Sequence, residues 1–392
     1  MKRLSLLLLL SLLVHSSAWS AAPTGLVYVG TYTDRELLIP SRANAPGERS
    51  KGIYAFRIDL ETGRLTALGL AAETPNPTYV TFSQSGRVLY AANEIYQLNG
   101  EPTGTVSAFS IDAVTGRLTL LNQVPSRGTG PCHLSVDHTG KNLLVANFGS
   151  GSVAVLPLAP DGSLRPASAF VQDTGSGPNP RQAGPHAHSF NVTPDNRLAI
   201  AAEFGTDQLR IYRFDPEAGS LRPAEPPFVT MHPASAPRHL SFHPNGTIAY
   251  TVNEIDNTVT VLAYDRAAGT LKELQTISTL PADFKGMNTA AEVLVHPSGR
   301  WLYASNRGHH SIAVFAIDAA GKLRAITHVN SGGRTPRGFA LDPSGRWLIA
   351  GNQDTHNIAV FSIDPNTGIP APTGQTLPVH TPTGVKFLMP PQ

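Results

Sequence analysis

The 392-residue sequence contains a single cysteine, Cys132, so the chain cannot form an internal disulfide and its stability must come from packing. Charged residues make up only 15% of the chain and the net charge is +2, without a basic run that would indicate nucleic-acid binding. Beyond the N-terminal leucine run, no hydrophobic stretch is long enough to span a membrane. These absences favour a globular protein with a sizeable core.

Glycine and proline are abundant, with 35 and 33 residues respectively. Both residues interrupt helices and favour turns, so this composition predicts many short strands and very little helix.

The N-terminus has the three regions of a secretory signal peptide. A basic MKR start is followed by an apolar segment, Leu4–Val14, and then by the small residues of SSAWSAA. We therefore predict a signal peptide over residues 1–22 and a mature domain over residues 23–392. No cysteine follows the apolar segment, so no lipid anchor is expected, and a disulfide-free exported chain suits a periplasmic or secreted location.

Six segments repeat along the chain, and the first of them reads TYVTFSQSGRVLYAANE. Each contains two apolar runs joined by a turn residue, which predicts two antiparallel strands, here called a and b. A third apolar run and a weaker fourth follow and predict strands c and d. The turn residues that anchor the alignment are Gly86, Gly140, Asn196, Gly246, Gly299 and Gly345. A period of roughly 50 residues with four strands is typical of a β-propeller blade.

A seventh repeat is split between the two ends of the chain. Leu26–Thr33, Gly52–Asp59 and the following TGRLTAL match strands b, c and d, and Thr381–Leu388 matches a strand a without a partner. Pairing the C-terminal strand with the N-terminal three would remove two open sheet edges. We therefore predict an all-β, seven-bladed β-propeller of four-stranded antiparallel blades, closed by the C-terminal strand.

Polar residues collect where strand a begins and where strand b ends, and antiparallel pairing brings these two places to one rim of the central channel. In the segment GPHAHSFNVTPDNRLAIAAEF this puts His188 and Glu203 together. The positions eight residues before the anchors hold Thr78, Cys132, His188, Arg238, Ala291 and Arg337. Convergent polar groups in a concave place indicate a binding or active site at the channel mouth.

A purely structural role explains some of these polar residues. Asparagine recurs seven residues after the anchors, and asparagine commonly bonds to turn backbone, so Asn147 and Asn352 are interpreted as structural. A repeat does not need single charged residues at equivalent inner positions, and burying unpaired charge is costly. His188, Arg238, Glu254 and Arg307 therefore stand out as functional candidates.

These residues lie in motifs that resemble the seven-bladed propeller lactonase family, which includes propeller-type 6-phosphogluconolactonases and carboxymuconate-lactonizing enzymes. The motifs are YVGTYT, GPHAHSF, PRHLSFHPNG, YTVNE and SNRGHHSIAVF, and the resemblance covers nearly the whole mature chain. It implies a hydrolase that opens a sugar-acid lactone. The family's histidine falls on His186 or His188, its arginines on Arg238 and Arg307, and its glutamate on Glu254.

We expect metal-independent acid–base hydrolysis of a small anionic lactone by a monomer, without a cofactor. The predicted catalytic residues are His188, Glu254, Arg307 and Arg238, and the predicted substrate-binding residues are His186, Glu203, Arg337, Asn306 and His239. Histidine suits proton transfer near neutral pH, and Glu254 would orient it or act as the base if burial raised its pKa. Arginines would hold an anionic group and stabilise developing negative charge.

Other hypotheses stay open at this stage. His186, His188, Glu203 and Glu254 would be the ligands of a metal-dependent lactonase. A cyclase forming the lactone would use the same residues. A non-enzymatic propeller that binds a ligand or a partner would instead present broad surface patches and not a polar ring in the channel mouth. A nucleophilic pair of Cys132 and His133 is disfavoured because neighbours on a strand point to opposite faces.

Three loops are predicted to form a lid or a specificity rim on the site face, namely Asp34–Ser50, Asp173–Pro185 and Pro281–Thr289. The substrate is left open, because a phosphorylated sugar lactone is a cytosolic metabolite and this chain reads as exported.

Overall fold

A computed structural model describes residues 23–34 and 49–389. The predicted signal peptide and most of the predicted 34–50 rim loop lie outside these residues. Within them, the secondary structure consists of 28 strands and one 3₁₀ turn at Pro180–Gln182. None of the helical segments in this described part is long and apolar enough to cross a membrane.

The strands group into seven four-stranded antiparallel sheets, which we number as blades. Blade 7 contains β1 (Thr24–Thr31), β2 (Gly52–Asp59) and β3 (Leu65–Glu73) from the N-terminal part of the chain and β28 (Pro382–Leu388) from the C-terminal part. Blade 1 contains β4 (Pro77–Phe82), β5 (Val88–Asn93), β6 (Thr105–Ile111) and β7 (Leu118–Pro125); blade 2 contains β8 (Pro131–Val136), β9 (Asn142–Asn147), β10 (Ser152–Pro157) and β11 (Ala169–Gln172); and blade 3 contains β12 (Ala187–Val192), β13 (Leu198–Glu203), β14 (Gln208–Asp215) and β15 (Ser220–Thr230). Blade 4 contains β16 (Pro237–Phe242), β17 (Ile248–Asn253), β18 (Thr258–Asp265) and β19 (Thr270–Ser278); blade 5 contains β20 (Ala290–Val295), β21 (Trp301–Asn306), β22 (Ser311–Ile317) and β23 (Leu323–Asn330); and blade 6 contains β24 (Pro336–Leu341), β25 (Trp347–Asn352), β26 (Asn357–Ile363) and β27 (Pro370–Pro378).

The predicted closure is confirmed. Strand β28 pairs antiparallel with β1, with Leu26 opposite Leu388 and Val29 opposite Val385. The resulting sheet has the order β28-β1-β2-β3, so the C-terminal strand takes the innermost place that strand a holds in the other blades. The two ends of the described chain therefore hold each other in one sheet.

The turn residues that anchor the repeats adopt the backbone conformation that the alignment requires. Gly86, Gly140, Gly246, Gly299 and Gly345 have φ between 67° and 75°, and Asn196 has φ 59°. Glycine and asparagine enter this left-handed region at the least cost, which explains why only these two residue types occupy the anchors.

The core lies between neighbouring blades. Strands b are buried along their whole length, whereas the outer strands d are mostly exposed, as in β7 and β27. Buried tyrosines also link blades, since Tyr28 donates to the carbonyl oxygen of Gly116 at 3.1 Å and Tyr303 to that of Gly368 at 2.7 Å. Each tyrosine thus ties a strand b to a turn of the next blade.

A β-bulge recurs where strand a begins. The pairing with strand b passes directly from Pro131 to His133, and in the same way from Ala187 to Ser189 and from Pro237 to His239. A bulge leaves one extra residue unpaired and changes the direction of its side chain. The extra residues include Cys132, His188, Arg238 and Arg337, which are the polar positions singled out in the sequence.

Candidate active site

The polar ends of strands a and b surround a cavity of about 740 Å³ at the axis of the propeller. Within the described part of the chain its lining consists of Tyr32, Glu94, Tyr96, Cys132, Phe148, Arg181, His188, Glu254, Met287, Asn288, Thr289, Arg307, Gly308, Thr335, Arg337, Gln353 and Asp354. These residues come from all seven blades or from the loops that follow their strands.

Glu254 is the centre of the charged groups in this cavity. Its Oε2 lies 2.7 Å from Nη2 of Arg307 and 3.0 Å from Nε of Arg238, and its Oε1 lies 2.5 Å from Nη2 of Arg181. Only 2% of Glu254 and 2% of Arg238 are exposed, whereas half of the Arg181 side chain is exposed. One buried carboxylate therefore holds three guanidinium groups together.

The three guanidinium groups decide the protonation of Glu254. Burial alone would raise the pKa of this carboxyl group, but the charges of Arg307, Arg238 and Arg181 outweigh burial and hold the pKa well below its usual range. We expected Glu254 to act as a base only if burial raised its pKa. The pKa is lowered instead, so this expectation is contradicted. The glutamate is a permanent anion at neutral pH.

Arg307 combines this ion pair with two backbone contacts. Its Nη2 donates to the carbonyl oxygen of Ala290 at 3.0 Å, and its Nε donates to that of Thr289 at 3.4 Å. Burial lowers the pKa of Arg307 to about 10, so the guanidinium group stays charged at neutral pH.

His188 lies beside this charge cluster, with its Nε2 4.0 Å from Oε2 of Glu254. Burial, together with the positive charge of Arg238, lowers the pKa of His188 well below its ordinary value. The imidazole is therefore neutral at neutral pH and has a nitrogen lone pair with which it can accept a proton.

Cys132 is the other close neighbour of His188. Its Sγ lies 3.7 Å from Nδ1 of His188 and donates to the backbone carbonyl oxygen of that residue at 3.4 Å. Burial strongly raises the pKa of the thiol, so Cys132 is not a thiolate and lacks the nucleophilic form. The thiol packs against His188.

The strand alternation expected at Cys132 and His133 is wrong, because the bulge breaks it. Cys132 lines the cavity, while the ring of His133 also faces the channel and contacts Tyr79 and His239, with ring centroids 4.4 and 5.4 Å apart. Consecutive side chains on strand a therefore both point inward and form two successive layers of the channel.

Arg238 and His239 repeat this arrangement. Arg238 does not line the cavity and instead supports Glu254 from the channel side, with its Nη1 also donating to the carbonyl oxygen of Ala291 at 2.6 Å. His239 lies in the deeper layer, where its Nδ1 is 2.8 Å from Oε1 of Glu292. Burial lowers the pKa of His239 to about 4 although Glu292 opposes the shift, so His239 is a neutral donor to that carboxylate.

The other predicted substrate-binding residues also divide into two groups. Arg337 lines the cavity, with its Nη2 4.0 Å from Oε2 of Glu94. His186 precedes β12 and stacks on Phe148 with ring centroids 4.6 Å apart, outside the lining. Asn306 is fully buried and donates to the carbonyl oxygen of Thr279 at 2.7 Å, which joins blade 5 to the end of blade 4.

Glu203 has a structural role that corrects the expected substrate contact. The carboxyl group is fully buried, and its Oε1 accepts hydrogen bonds from the backbone amides of His186 and Gly205. It occupies the place that asparagine holds in other blades and pairs with the buried carboxyl group of Asp173. Burial and the neighbouring Asp173 raise the pKa of Glu203 well above its ordinary value, so this pair retains a proton.

The ligand set of the metal hypothesis is not brought together by the fold. Nδ1 of His186 bonds the carbonyl oxygen of Phe148 at 2.8 Å, Glu203 faces Asp173, and Glu254 is surrounded by cations. Across residues 23–34 and 49–389, no group of three or more His, Cys, Asp or Glu side chains has the geometry to hold a metal ion. The guanidinium groups would also repel a cation placed next to Glu254.

Arg181 is a cavity residue that sequence reasoning missed. It lies on the 3₁₀ turn within the predicted 173–185 rim loop, and Asn179 caps this turn. The next residue, Gln182, is fully buried and donates through Nε2 to the carbonyl oxygen of Phe204 and to Oδ1 of Asp207, both at 2.7 Å. This clamp fixes the loop, so that Arg181 reaches Glu254 across blade 3.

Glu94 is a second carboxyl group in the cavity, and it too was missed, although it occupies the same repeat position as Glu254. Both of its oxygens accept from the hydroxyl group of Tyr32 at 3.1 Å. Burial raises the pKa of Glu94, and the charge of Arg337 only partly opposes this shift. Glu94 and Glu254 thus have pKa values displaced in opposite directions.

The predicted rim loops contribute to the cavity where they are described. Met287, Asn288 and Thr289 of the 281–289 loop line it, as does Arg181 of the 173–185 loop. Asn288 connects this rim to the blades, because its Oδ1 accepts from the amides of Gly308 and His309 at 2.7 and 2.9 Å.

Fold and cavity together define a seven-bladed propeller whose axial cavity presents arginines that converge on the carboxylate of Glu254, with a neutral histidine beside them. A family model described as Lactonase, 7-bladed beta-propeller matches residues 26–387. The chain belongs to this lactonase family, as its sequence motifs predicted.

Similar proteins agree with this membership. The 6-phosphogluconolactonase of Bacillus subtilis is 37% identical over 316 residues, which cover 80% of this chain and 84% of the relative. The structure of a periplasmic gluconolactonase from Pseudomonas aeruginosa is 35% identical and superposes with a TM-score of 0.85, covering 94% of this chain and all of that one. A structure from Lactobacillus plantarum, 32% identical, has a TM-score of 0.83 and covers 93% of this chain and 99% of its own.

Proposed function

We propose that this protein hydrolyses a sugar-acid lactone in the axial cavity, by acid–base chemistry that does not use a metal ion. The observation that carries the proposal is the convergence of Arg307, Arg181 and His188 on Glu254 within one cavity of a lactonase-family chain. Lactone hydrolysis needs a base for water, positive charge for the oxyanion and a proton for the leaving oxygen.

His188 is the proposed base. A neutral imidazole is the form that accepts a proton from an attacking water, and burial keeps His188 in this form. The carboxylate of Glu254, 4.0 Å from Nε2, stabilises the imidazolium ion that forms when the proton is transferred. Glu254 is thus a fixed negative charge in this mechanism and not a second base.

Arg307 is the proposed stabiliser of the tetrahedral oxyanion. It lines the cavity, remains charged and is held in place by Glu254 and two backbone carbonyl groups. A donor that is fixed before the reaction needs no reorganisation when negative charge develops. Arg337 and the half-exposed Arg181 are the proposed contacts for anionic or hydroxyl groups of the substrate, and Arg238 positions Glu254.

Several observations support a metal-independent reaction and an exported enzyme. The charges next to Glu254 are cations, and the histidine and carboxylate donors that a metal would need are dispersed. The N-terminal sequence has the three regions of a signal peptide, and one similar structure is that of a periplasmic gluconolactonase. We therefore propose a periplasmic lactonase and leave the phosphorylation of its substrate to experiment.

The test is pH-stat titration of the acid released from a panel of sugar lactones, with and without phosphate groups, by the mature protein before and after chelation. We expect saturable turnover above the spontaneous rate, unchanged by the chelator. His188→Ala should lower kcat by about 10²–10⁴-fold. The exposed turn residue His138 provides a matched control, and His138→Ala should keep wild-type activity.

Four outcomes would contradict the proposal. Turnover that disappears on chelation would favour metal-dependent chemistry, and full activity in His188→Ala would remove the proposed base. Saturable binding of a lactone without turnover would favour a ligand-binding propeller, and net synthesis of lactone from an unsaturated carboxylate would favour the cyclase.

A further inference from the structure

We propose that Glu94 is the general acid that protonates the oxygen leaving the acyl carbon. This inference rests on the proposed lactone hydrolysis and assigns the one proton transfer that His188 and the arginines do not supply. Glu94 follows β5 in blade 1, and its carboxyl group lines the same cavity as His188 and Arg307.

Fewer and more distant guanidinium groups surround Glu94 than surround Glu254, and a carboxyl group that donates a proton needs such surroundings. Glu254 has three guanidinium groups between 2.5 and 3.0 Å from its oxygens. The guanidinium group paired with Glu94 is that of Arg337, at 4.0 Å. A carboxyl group with one guanidinium group at 4.0 Å is easier to protonate than one held by three guanidinium groups at 2.5–3.0 Å, so Glu94 is the better proton carrier of the two.

Other titratable groups face Glu94 from several blades. They are Tyr32 of blade 7, Tyr96 on the loop after β5, Cys132 of blade 2, Arg337 of blade 6 and, farther away, Arg238 of blade 4. The thiol and both phenols are neutral at neutral pH because burial raises their pKa values. Burial raises the pKa of Glu94 itself, and the two arginines limit that rise.

Tyr32 stabilises the carboxylate that remains after proton transfer. Its hydroxyl group donates to both oxygens of Glu94 at 3.1 Å, and its high pKa ensures that it keeps its proton. The phenol thus compensates the charge that appears on Glu94 in a buried place. The side chain of Arg337 packs over the ring of Tyr32, with its Cζ 5.3 Å from the ring centroid, which fixes this arrangement.

The proposed sequence of steps balances atoms and charge. Water adds to the acyl carbon while His188 takes one of its protons, which gives a tetrahedral oxyanion next to Arg307. The bond between the acyl carbon and the ring oxygen then breaks, and the ring oxygen takes the proton of Glu94 to become a hydroxyl group. The new carboxylic acid returns its proton to Glu94, His188 releases its proton to solvent, and one proton is produced per lactone opened.

The test compares two substrates that differ in the leaving atom, a lactone and the matching thiolactone. An alkoxide needs a proton to leave, whereas a thiolate leaves readily without one. We expect Glu94→Gln to lower kcat on the lactone by about 10²–10⁴-fold and on the thiolactone by less than about tenfold. The alkaline limb of the kcat–pH profile on the lactone should also disappear, since this limb reports deprotonation of the acid.

The exposed turn residue Glu61 provides a matched control, and Glu61→Gln should leave both rates unchanged. If Glu94→Gln does not fold, Tyr32→Phe is the second variant. Loss of the hydroxyl donor destabilises the carboxylate of Glu94, so the alkaline limb should move to higher pH.

Equal losses on lactone and thiolactone, or an alkaline limb that stays in place in both variants, would overturn the assignment of Glu94. Wild-type turnover of lactones in the same assay would then leave the proposed function intact. Absence of wild-type turnover on every lactone would instead overturn the proposed function and, with it, the role of Glu94.

Discussion

Replacing Glu254 by glutamine tests whether one carboxylate holds the charged site together. The substitution keeps the size of the side chain and removes its charge, which leaves the guanidinium groups of Arg238, Arg307 and Arg181 close to one another without an anion. Removal of one partner from a buried ion pair typically costs about 3–5 kcal/mol. Arg181 is half exposed, and glutamine retains an oxygen that can accept one hydrogen bond, so we expect the lower end, about 3 kcal/mol.

The loss of stability in Glu254→Gln should depend on pH. The folded-state pKa of Glu254 is held far below the value of about 4.3 found in unfolded chains. A group with a depressed pKa contributes stability above its unfolded pKa, and this contribution is lost as the pH falls toward the folded value. The difference between wild type and Glu254→Gln should therefore be largest at neutral pH and should narrow below about pH 4.

Denaturant unfolding of both proteins at pH 7 and at pH 3 measures this difference. Glu61→Gln, which removes an exposed glutamate, should match wild type at both pH values. Equal stabilities of wild type and Glu254→Gln at pH 7 would show that Glu254 does not hold the guanidinium groups together, as would a difference in stability that stays constant down to pH 3.

Three further predictions concern the proposed base, the inter-blade carboxyl pair and the oxyanion donor. Burial lowers the pKa of His188 well below 6.5, so the imidazole stays neutral in mild acid and kcat at pH 5.5 should be close to its maximum. A loss of more than half of kcat between pH 7 and pH 5.5 would contradict this prediction. The pKa of Glu203 is raised in the folded state, so its contribution to stability is lost as the pH rises through that value. Glu203→Gln should therefore have a higher Tm than wild type at pH 9 and no such advantage at pH 5, and equal Tm values at pH 9 would contradict the shared proton. Arg307→Lys keeps the charge but not the planar fork of donors, so kcat/KM should fall by about 10²-fold with an unchanged Tm. Wild-type kcat/KM in that variant would show that only the charge matters.

The sequence predicted the fold well because one pattern repeats. The turn anchors require a left-handed backbone that only a few residues adopt easily, so Gly86 and its equivalents fix the register of each hairpin. The absence of a strand a before Leu26 and the presence of an extra one near the C-terminus leave a single closure that removes both edges. Local signals were therefore sufficient for the architecture and for the rim where polar residues meet.

The site was predicted only in part, because its chemistry depends on distances between blades. Arg181 reaches Glu254 from a loop that is fixed by the hydrogen bond between Gln182 and Asp207. The hydrophobic periodicity of the sequence gives no indication of this hydrogen bond. The pKa of Glu254 is lowered and not raised because three guanidinium groups converge on it. Glu94 occupies the same repeat position as Glu254, and an alignment of the repeats cannot show that it lacks three guanidinium groups around its carboxyl group.

The bulge at the start of strand a explains a further difference. Strict alternation would place His133 and Cys132 on opposite faces, but the extra residue lets both point into the channel. The bulge is part of each blade and is not apparent from hydrophobic periodicity. At Cys132 and His133 it lets two consecutive side chains of the innermost strand face the channel.

Lactone hydrolysis in the axial cavity is tested by measuring kcat/KM for a six-membered sugar-acid lactone by pH-stat, with the spontaneous rate subtracted. The proteins compared are wild type, Arg307→Ala and the exposed-site control Arg117→Ala. We expect saturable hydrolysis by wild type and by the control, and a loss of about 10²–10³-fold in Arg307→Ala with folding retained. Hydrolysis at the spontaneous rate in all three proteins, or equal catalysis by Arg307→Ala and wild type, would contradict a lactonase site in this cavity.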